Sequence, residues 1–478
     1  MIFNSLDFVV FFPLVTLIYF LLPQKVRWLH LLLASCVFYC FFIPEYLLIL
    51  LFTIVVDYFA GIWIEKSQGK KRKWALIASL VANIGVLAVF KYVYFILGNV
   101  HSLFGFFGKN IDTSFIHIIL PIGLSFHTFQ AMSYTFEVYK GNFKAEKHFG
   151  IYALYVMFYP QLVAGPIERP QNVLPQFRIK HEFSHANMVS GLQQMLWGMF
   201  KKVVVADRLG ILVSKVYSHP FEYQGLPLIV ATMFFSIQIF CDFSGYSDIA
   251  LGSAKVMGFD LMKNFDRPYY AKTMAEHWRR WHISLSTWFR DYLYIPLGGN
   301  RVSKLRGFLN ILIVFTMSGL WHGDKWHYII WGSLHGFYLI VGQITKKYQE
   351  KLYGLSGNGF LNKFLQAGTT YVLLLFAWVL FRSNTMAEVK YIFKNALNFS
   401  STDKITSFSD LLSPQDWLLA GLGFIILESV HWLQRNPEHM IHFNGLKRSI
   451  KWSFYYLLLL LILCFGVYNN TQFIYFQF

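Results

Sequence analysis

The sequence predicts an all-α integral membrane protein that crosses the bilayer about ten to twelve times. Of its residues, 55% are hydrophobic, 19% are aromatic and only 14% are charged, whereas a soluble domain carries roughly 25% charged residues. Runs without a charged side chain recur, and several approach the roughly 17–25 residues that a spanning helix needs. These runs are Trp74–Phe90, Tyr223–Cys241, Gly307–Gly323, Trp326–Thr345, Phe364–Phe381 and Trp452–Tyr468.

The chain is expected to form one polytopic domain over residues 1–478, in which residues 452–478 form an outward helix and its tail. The first apolar stretch, Phe8–Leu22, has no basic leader and no A-x-A-like cleavage site, so a retained helix is predicted. Prolines and a glycine interrupt the helical pattern between Ile151 and Phe221. Because irregular backbone at membrane depth must be buried in protein or line a water cavity, we expect re-entrant pieces there.

The net charge of +17 is dispersed between the apolar runs. Basic residues concentrate at 66–73, 346–351 and 447–451, and the positive-inside rule predicts that these loops are cytoplasmic. Charge spread in this way argues against nucleic-acid binding and places the lipid bilayer as the surrounding partner. The four cysteines lie in apolar segments without a CxxC pair, so neither a zinc site nor a disulfide framework is indicated.

Two histidines are candidates for chemistry. His322 ends the charge-free run Gly307–Gly323, where an imidazole is costly unless it faces a cavity or takes part in a reaction. His282 lies 40 residues earlier, inside a basic and aromatic run. One histidine near a membrane surface and one in the interior suggest a reaction that proceeds from one side of the membrane towards the other.

The segment from Lys263 to Arg306 is the least membrane-like part of the interior, with nine basic residues against three acidic ones. Three tryptophans, Trp278, Trp281 and Trp288, are interleaved with the charges. One interpretation is an interfacial helix with tryptophan at headgroup depth. The other is a cytoplasmic vestibule whose arginines clamp the phosphates of an anionic donor. The candidate donor-binding residues are Arg279, Arg280, Arg290 and Trp281.

Five stretches resemble the membrane-bound O-acyltransferase family, in order along the chain and up to about residue 340. They are LPIGLSFHTFQAMSYTFEVYKG (120–141), FYPQLVAGPIERP (158–170), FCDFSGYSDIALGSAKVMGF (240–259), HWRRWHISLSTWFRDYLYIPLGGNR (277–301) and SGLWHG (318–323). Within the family the chain is most similar to the alginate O-acetyltransferase-like branch. The teichoic-acid D-alanyltransferases are more distant.

The resemblance implies a helical ring with re-entrant segments around a transmembrane tunnel. It implies that His322, in the WHG motif, is catalytic and that His282 is the second polar position. It also implies acetyl-CoA as a cytoplasmic donor substrate, with no bound cofactor. The implied acceptor is an extracytoplasmic polysaccharide, reached through an SGNH-type acetyltransferase partner protein. The implied location is the bacterial cytoplasmic membrane.

The residue types suit this chemistry, because transfer from a thioester to a hydroxyl needs a base near neutral pH and a buried imidazole stays neutral. His322 would deprotonate the hydroxyl, and His282 would orient or polarise the thioester carbonyl. His277, His327 and His335 are interpreted as structural, although His335 could line the tunnel. A zinc site built from His277, His282, His322 and His327 lacks an HExxH motif or carboxylate partners, so we predict no metal.

Two aspartates follow the apolar run Tyr223–Cys241, in the segment CDFSGYSDIA. Carboxylates at this depth should be paired or face water, so we expect Asp242 and Asp248 to form structural ion pairs, with an arginine of the region 279–290 as a candidate partner. Gln161, Gly165, Pro166 and Glu168 are expected to shape a re-entrant loop at the tunnel mouth.

The chain ends in FIYFQF. Composition alone predicts an aromatic interfacial anchor. The ending also resembles the C-terminal motif of the small single-span partner in the D-alanylation system, which implies a role for Tyr475 as an acyl relay through a tyrosine ester. Both interpretations remain open at this point.

The predicted function is transfer of an acetyl group from acetyl-CoA through the membrane to an alginate-like exopolysaccharide or a cell-wall polymer. The alternative is a transporter or flippase for a lipid-linked or acylated intermediate. A transporter typically shows inverted repeats with broken helices, and the sequence contains no visible repeat.

Overall fold

The structure is a computed structural model. It describes residues 1–106, 121–355, 359–399, 411–436, 438, 439, 441, 445–468, 473 and 474. Helices dominate these residues, and the prediction of an all-α fold is confirmed.

The first five helices form the N-terminal region. They are α1 (Leu6–Leu21), α2 (Gln24–Cys40), α3 (Tyr46–Lys66), α4 (Gly69–Leu87) and α5 (Val93–Phe106). A π-helical segment, Ala88–Tyr92, joins α4 to α5 without a break in the helix axis. π-Helical turns are rare and are often found at functional sites.

The middle of the chain is broken into shorter helices. They are α6 (Leu124–Lys140), α7 (Phe149–Met157), α8 (Tyr159–Leu162), α9 (Pro170–Val173), α10 (His185–Met199) and α11 (Asp207–Ser218). Almost every residue from Gly150 to Pro170 is buried, including the non-helical backbone around Gly165 and Pro166. The predicted interruption of the helical pattern is therefore confirmed, and the protein itself covers the irregular backbone as expected.

The remaining helices include the longest in the described chain, α12. They are α12 (Leu226–Val256), α13 (Met274–Arg280), α14 (Ile283–Phe289), α15 (Lys304–His322), α16 (Trp326–Ile344), α17 (Lys346–Leu355), α18 (Phe360–Arg382), α19 (Met386–Asn395), α20 (Pro414–Arg435) and α21 (Arg448–Phe465). Two further π-helical segments lie at Phe200–Ala206 and Arg290–Tyr294.

Six helical segments in the described residues are long and apolar enough to cross a membrane. They are Tyr46–Lys66, Gly69–Phe106, Leu226–Val256, Phe360–Arg382, Pro414–Arg435 and Arg448–Phe465. This number is lower than the ten to twelve expected from charge-free runs. Some apolar stretches, such as Ile151–Val163, form short helices that are buried by neighbouring protein, and apolar sequence alone does not distinguish them from lipid-facing helices.

Helices α10 and α12 also approach each other very closely. Gly191 and Gly198 of α10 face Gly252 and Gly245 of α12, at the same spacing of seven residues. A Cβ at Gly198 would lie 2.5 Å from the carbonyl oxygen of Gly245, and one at Gly191 would lie 2.6 Å from that of Gly252. Small residues let membrane helices approach backbone to backbone, and this contact fixes the π-helical segment after α10 against α12.

Candidate functional site

The close packing of α15 against α16 determines where His322 lies. A Cβ at Gly319 or Gly332 would overlap the backbone of the facing helix, so glycine at both positions lets the two helices touch. α15 ends at His322, and Gly323 continues in an extended conformation. His322 is therefore the last helical residue, in the interior of the protein.

Aromatic rings surround the His322 imidazole, which is 3% exposed. The ring centroids of Trp321 and Trp331 lie 4.9 Å from that of His322, and the centroid of Phe381 lies 5.4 Å away. Such surroundings favour the neutral form of an imidazole, which is the form that can accept a proton.

The end of α15 is held by a buried lysine that sequence analysis did not identify. Lys91 Nζ donates to the carbonyl oxygen of Trp321 at 2.7 Å and to that of His322 at 3.3 Å. The neighbouring Tyr92 hydroxyl donates to the carbonyl oxygen of Leu320 at 2.8 Å. The last carbonyl groups of a helix have no partner within the helix, and a cation there also complements the helix dipole. The π-helical segment Ala88–Tyr92 thus fixes the backbone that carries His322.

Hydrogen bonds to Asn264 hold His282 in place. Its φ of 43° lies in the left-handed region, which is rare for a residue with a side chain and is often found at functional sites. Asn264 Oδ1 lies 3.1 Å from His282 Nδ1 and also accepts from the Ser284 amide at 3.2 Å and the Ser284 hydroxyl at 2.9 Å. Because this amide oxygen can only accept, Nδ1 carries the proton, and the neutral ring has its lone pair at Nε2.

Trp321 connects the two predicted catalytic histidines. Its ring centroid lies 5.9 Å from that of His282 and 4.9 Å from that of His322. Phe126 and Phe129 also contact Trp321, at centroid distances of 5.2 and 5.5 Å. The structure thus brings His282 and His322 to one aromatic centre.

The predicted donor-binding residues differ in their exposure and in their partners. Arg279 is exposed, and Arg280 forms an ion pair of 2.6 Å with Glu276. Arg290 is also exposed and lies 2.7 Å from Asp291. Trp281 is only 1% exposed. Its ring packs against other aromatic rings of the core.

The interfacial-helix interpretation of residues 263–306 is wrong. Trp278, Trp281 and Trp288 are 8%, 1% and 6% exposed, so all three lie inside the protein and not on a surface that could face lipid headgroups. The segment is divided into α13, α14, a π-helical segment and a turn at 295–300. Sequence analysis missed this because tryptophan beside arginine is typical of membrane interfaces and is equally compatible with a buried aromatic cluster.

A cavity of about 620 Å³ lies beside Asn264, between α10, α12, α20, α21 and the loop at 261–267. This volume is in the range of small-molecule sites. Its charged wall consists of Lys201, Asp248, Lys263, Asp266 and Arg267. The donor-binding residues predicted from sequence are not among the described residues that line it.

The residues that line the cavity lie near the basic ends of three helices. Its lining residues come from the second half of α12, the last residues of α20 and the first half of α21. Lys255, Arg435 and Arg448 mark those same helix ends.

The predicted ion pairs of Asp242 and Asp248 are confirmed, but lysines form them and not an arginine of region 279–290. Lys202 Nζ lies 2.7 Å from Asp242 Oδ1, and Lys201 Nζ lies 2.5 Å from Asp248 Oδ2. Both lysines belong to the π-helical segment Phe200–Ala206, whose widened turn directs consecutive side chains to two places on α12. A π-helical turn has no signature that a single sequence reveals.

The other histidines have structural contacts. His277 Nδ1 lies 3.3 Å from the Pro268 carbonyl oxygen, and His327 Nδ1 lies 3.0 Å from that of Leu380. His335 Nδ1 accepts from the Trp278 indole at 3.3 Å. Within the described ranges, no group of three or more His, Cys, Asp or Glu side chains is arranged to hold a metal ion.

Among the predicted loop residues, Glu168 is fully buried and bound on several sides. Its carboxylate accepts from the Asn172 side chain at 2.7 Å and from the Met262 amide at 2.5 Å. Gln161 donates to the Tyr155 carbonyl oxygen at 2.7 Å. These contacts fold the irregular segment onto the loop that leads to Asn264. Tyr475, the predicted relay residue, lies outside the described residues.

Lys91 was missed, although the sequence around it could have identified it as a candidate. It is the lone charged residue between Lys73 and Lys109, and a single lysine in an apolar run indicates a structural or functional site. The sequence around Asn264 could not have identified it, because its role depends on how the loop 261–267 folds back beneath α14.

The chain is similar to known proteins over most of its length. Residues 148–378 match the membrane-bound O-acyltransferase family, MBOAT. A probable alginate O-acetylase of Pseudomonas aeruginosa is 34% identical over 407 residues, which cover 84% of this chain and 76% of that protein. A peptidoglycan O-acetyltransferase of Helicobacter pylori is 34% identical, with coverage of 84% and 80%. A teichoic acid D-alanyltransferase of Streptococcus thermophilus is 32% identical over 46% of this chain and 56% of that protein.

These similarities, with the helical architecture, favour the enzyme hypothesis over the transporter hypothesis. The chain belongs to the membrane-bound O-acyltransferase family and is a multi-pass membrane acyltransferase.

Proposed function

We propose that the protein is an O-acetyltransferase of the bacterial cytoplasmic membrane, which takes acetyl from cytoplasmic acetyl-CoA and delivers it to a polysaccharide on the outer side. The observation that carries this proposal is the contact of both His282 and His322 with the ring of Trp321. Two buried imidazoles at one aromatic centre suit proton transfer during acyl transfer. The names of the similar alginate and peptidoglycan enzymes support an acetyl group and a polysaccharide acceptor.

Acetyl-CoA approaches as a substrate through the cavity beside Asn264. Lys263 and Arg267 lie on the wall of that cavity, where both pair with Asp266. Two cations against one carboxylate leave positive charge for the phosphates of the donor. Asn264 forms part of the same wall and is bonded to His282, so the thioester end of the donor arm points towards the histidines. Arg279, exposed on α13, is a second basic contact for the donor outside the cavity.

In the first transfer, His322 removes the proton of the attacking hydroxyl, and the oxygen forms a bond with the carbonyl carbon of the thioester. The carbon–sulfur bond then breaks, and the imidazolium returns the proton to the thiolate, which leaves as CoA-SH. With Tyr475 as the attacking group, the product is an acetyl-tyrosine ester. A second hydroxyl, on an SGNH-type partner protein or on the polymer, attacks the carbonyl carbon of that ester. The bond from this carbon to the tyrosine oxygen breaks, and the proton of the attacking hydroxyl passes to the tyrosine oxygen.

His282 orients the donor in this scheme. Its Nδ1–H donates a hydrogen bond to Asn264 Oδ1, so the acceptor of the neutral ring is Nε2. Polarising a carbonyl would require an N–H at that position. An acceptor suits an amide N–H of the donor arm, so orientation is favoured over polarisation of the carbonyl.

The role of His322 is tested with radiolabelled acetyl-CoA and membranes that contain the protein. His322→Ala is expected to lower acetyl transfer about 10²–10⁴-fold, because the general base is lost. His219→Ala, which removes an exposed imidazole, serves as the control and should transfer normally. Normal transfer by a folded His322→Ala variant would refute the assignment.

Tyr475 is tested by a substitution that removes a single oxygen. Tyr475→Phe is expected to abolish acetylation of the polymer and the trapping of label on the protein, while acetyl-CoA still binds. Tyr468→Phe removes a hydroxyl that donates to the Ile462 carbonyl oxygen and is the matched control. If Tyr475→Phe acetylates the polymer at the wild-type rate, the relay is excluded.

Lys91 is predicted to position His322. Lys91→Met leaves the carbonyl groups of Trp321 and His322 without their cation, and a displacement of about 1 Å at a reacting group costs on the order of 10²-fold in rate. We expect kcat to fall by about that factor while the KM for acetyl-CoA stays constant. Lys66→Met, at an exposed lysine at the end of α3, should change neither constant. An unchanged kcat in Lys91→Met would contradict the positioning role.

A further inference from the structure

The described end of the chain lies inside the protein. Phe473 is 2% exposed and Ile474 is 8% exposed, although both follow the apolar helix α21. The backbone amide of Ile474 donates to Asp242 Oδ2 at 2.7 Å, in a buried position. A free interfacial anchor would not place an amide on a buried carboxylate of α12.

Asp242 belongs to a buried group of charges. Lys202 Nζ lies 2.7 Å from Asp242 Oδ1 and 2.8 Å from Asp207 Oδ1, and all three side chains are almost fully buried. Two carboxylates therefore share one ammonium group. The amide of Ile474 gives Asp242 a further donor, and hydrogen bonds to charged groups are stronger than those between neutral groups.

The side chain of Phe473 lies in an aromatic slot formed by α12. Its ring stacks on Tyr246 at a centroid distance of 4.7 Å and lies 5.5 Å from Phe243. Phe243 in turn contacts the imidazole of His282, with the centroids 4.7 Å apart. One aromatic ring thus separates the tail from a predicted catalytic histidine.

The connection between α21 and this slot is also attached to the protein. The amide of Val467 donates to the Val203 carbonyl oxygen at 2.9 Å, and the Arg208 guanidinium donates to the carbonyl oxygen of Phe465. Val203 and Lys202 are neighbours in the same π-helical segment. The chain is therefore held close to Lys202 both where α21 ends and again at Ile474.

We propose that Asp242, held by Lys202, is a positioning residue that docks the C-terminal tail beside the reaction centre. Tyr475 follows Ile474 directly in the sequence, so the docking of Ile474 bears directly on the proposed relay. The inference rests on the proposed function, because docking of the tail assists acetyl transfer only if Tyr475 accepts the acetyl group. Docking itself is a separate claim and is measurable without any acyl transfer.

The sharpest test removes the donated hydrogen and leaves the charges in place. Ile474→Pro lacks the backbone N–H that reaches Asp242, whereas Ile474→Ala keeps that N–H and only shortens the side chain. Asp242→Asn is a second variant, which keeps the shape of the acceptor and removes its charge. Each protein is purified in nanodiscs and used only if it is monodisperse.

Hydrogen–deuterium exchange of C-terminal peptides measures docking. In the wild type and in Ile474→Ala, the peptide that contains residue 474 should be protected from exchange. In Ile474→Pro and Asp242→Asn, the remaining amides of that peptide should exchange at least tenfold faster. Acetyl transfer measures function. The two undocked variants should lose at least tenfold in kcat with an unchanged KM for acetyl-CoA.

The outcomes separate this inference from the proposed function. An unprotected tail in the wild type, or undocked variants that transfer acetyl at the wild-type rate, would overturn the positioning role of Asp242 while leaving the acyltransferase assignment intact. If docking is lost in the variants and Tyr475→Phe is fully active, the relay itself fails, and the docked tail is only structural. Loss of both protection and turnover, with Tyr475→Phe inactive, supports the proposal.

Discussion

The arrangement of the site depends on one contact, the hydrogen bonds from Lys91 to the carbonyl oxygens of Trp321 and His322. A helix that ends inside a protein must find donors for its last carbonyl groups, since an unpaired buried carbonyl costs about 1–3 kcal/mol. Here the donor comes from another helix, more than 200 residues away in sequence. The contact therefore joins the N-terminal helices to the α15–α16 pair and fixes the residue that is the best candidate for the catalytic base.

Buried lysines also hold helix α12. Lys201 and Lys202, consecutive in a π-helical segment, pair with Asp248 on the wall of the cavity and with Asp242 beneath the tail. Buried ion pairs are rarely kept for stability alone, because desolvation offsets much of their attraction. In this protein they connect the wall of the cavity and the docked Ile474 to one short segment. Two of the three π-helical segments found in the described residues thus supply the lysines that organise the site.

Sequence reasoning identified the fold class, the pairing of Asp242 and Asp248, and the irregular buried backbone near Gly165 and Pro166. Each depended on a rule that holds whatever the tertiary arrangement, namely the cost of unpaired charge or unbonded backbone in an apolar interior. The partners of the aspartates could not be predicted, since a π-helical turn determines which lysines face α12. The burial of Trp278, Trp281 and Trp288 was missed because composition does not distinguish an aromatic core from a membrane interface. The roles of His282 and His322 remain predictions. The geometry leads us to assign removal of the hydroxyl proton to His322 and orientation of the donor to His282.

The central claim is that acetyl enters from the cytoplasmic face and crosses the protein to the outside. The most direct measurement adds radiolabelled acetyl-CoA, which does not cross a bilayer, to sealed inside-out and right-side-out membrane vesicles that contain the protein. The account predicts protein- or polymer-bound label in the inside-out vesicles, with background labelling in right-side-out vesicles and in both kinds of His322→Ala vesicles. Equal labelling of intact right-side-out vesicles would contradict it.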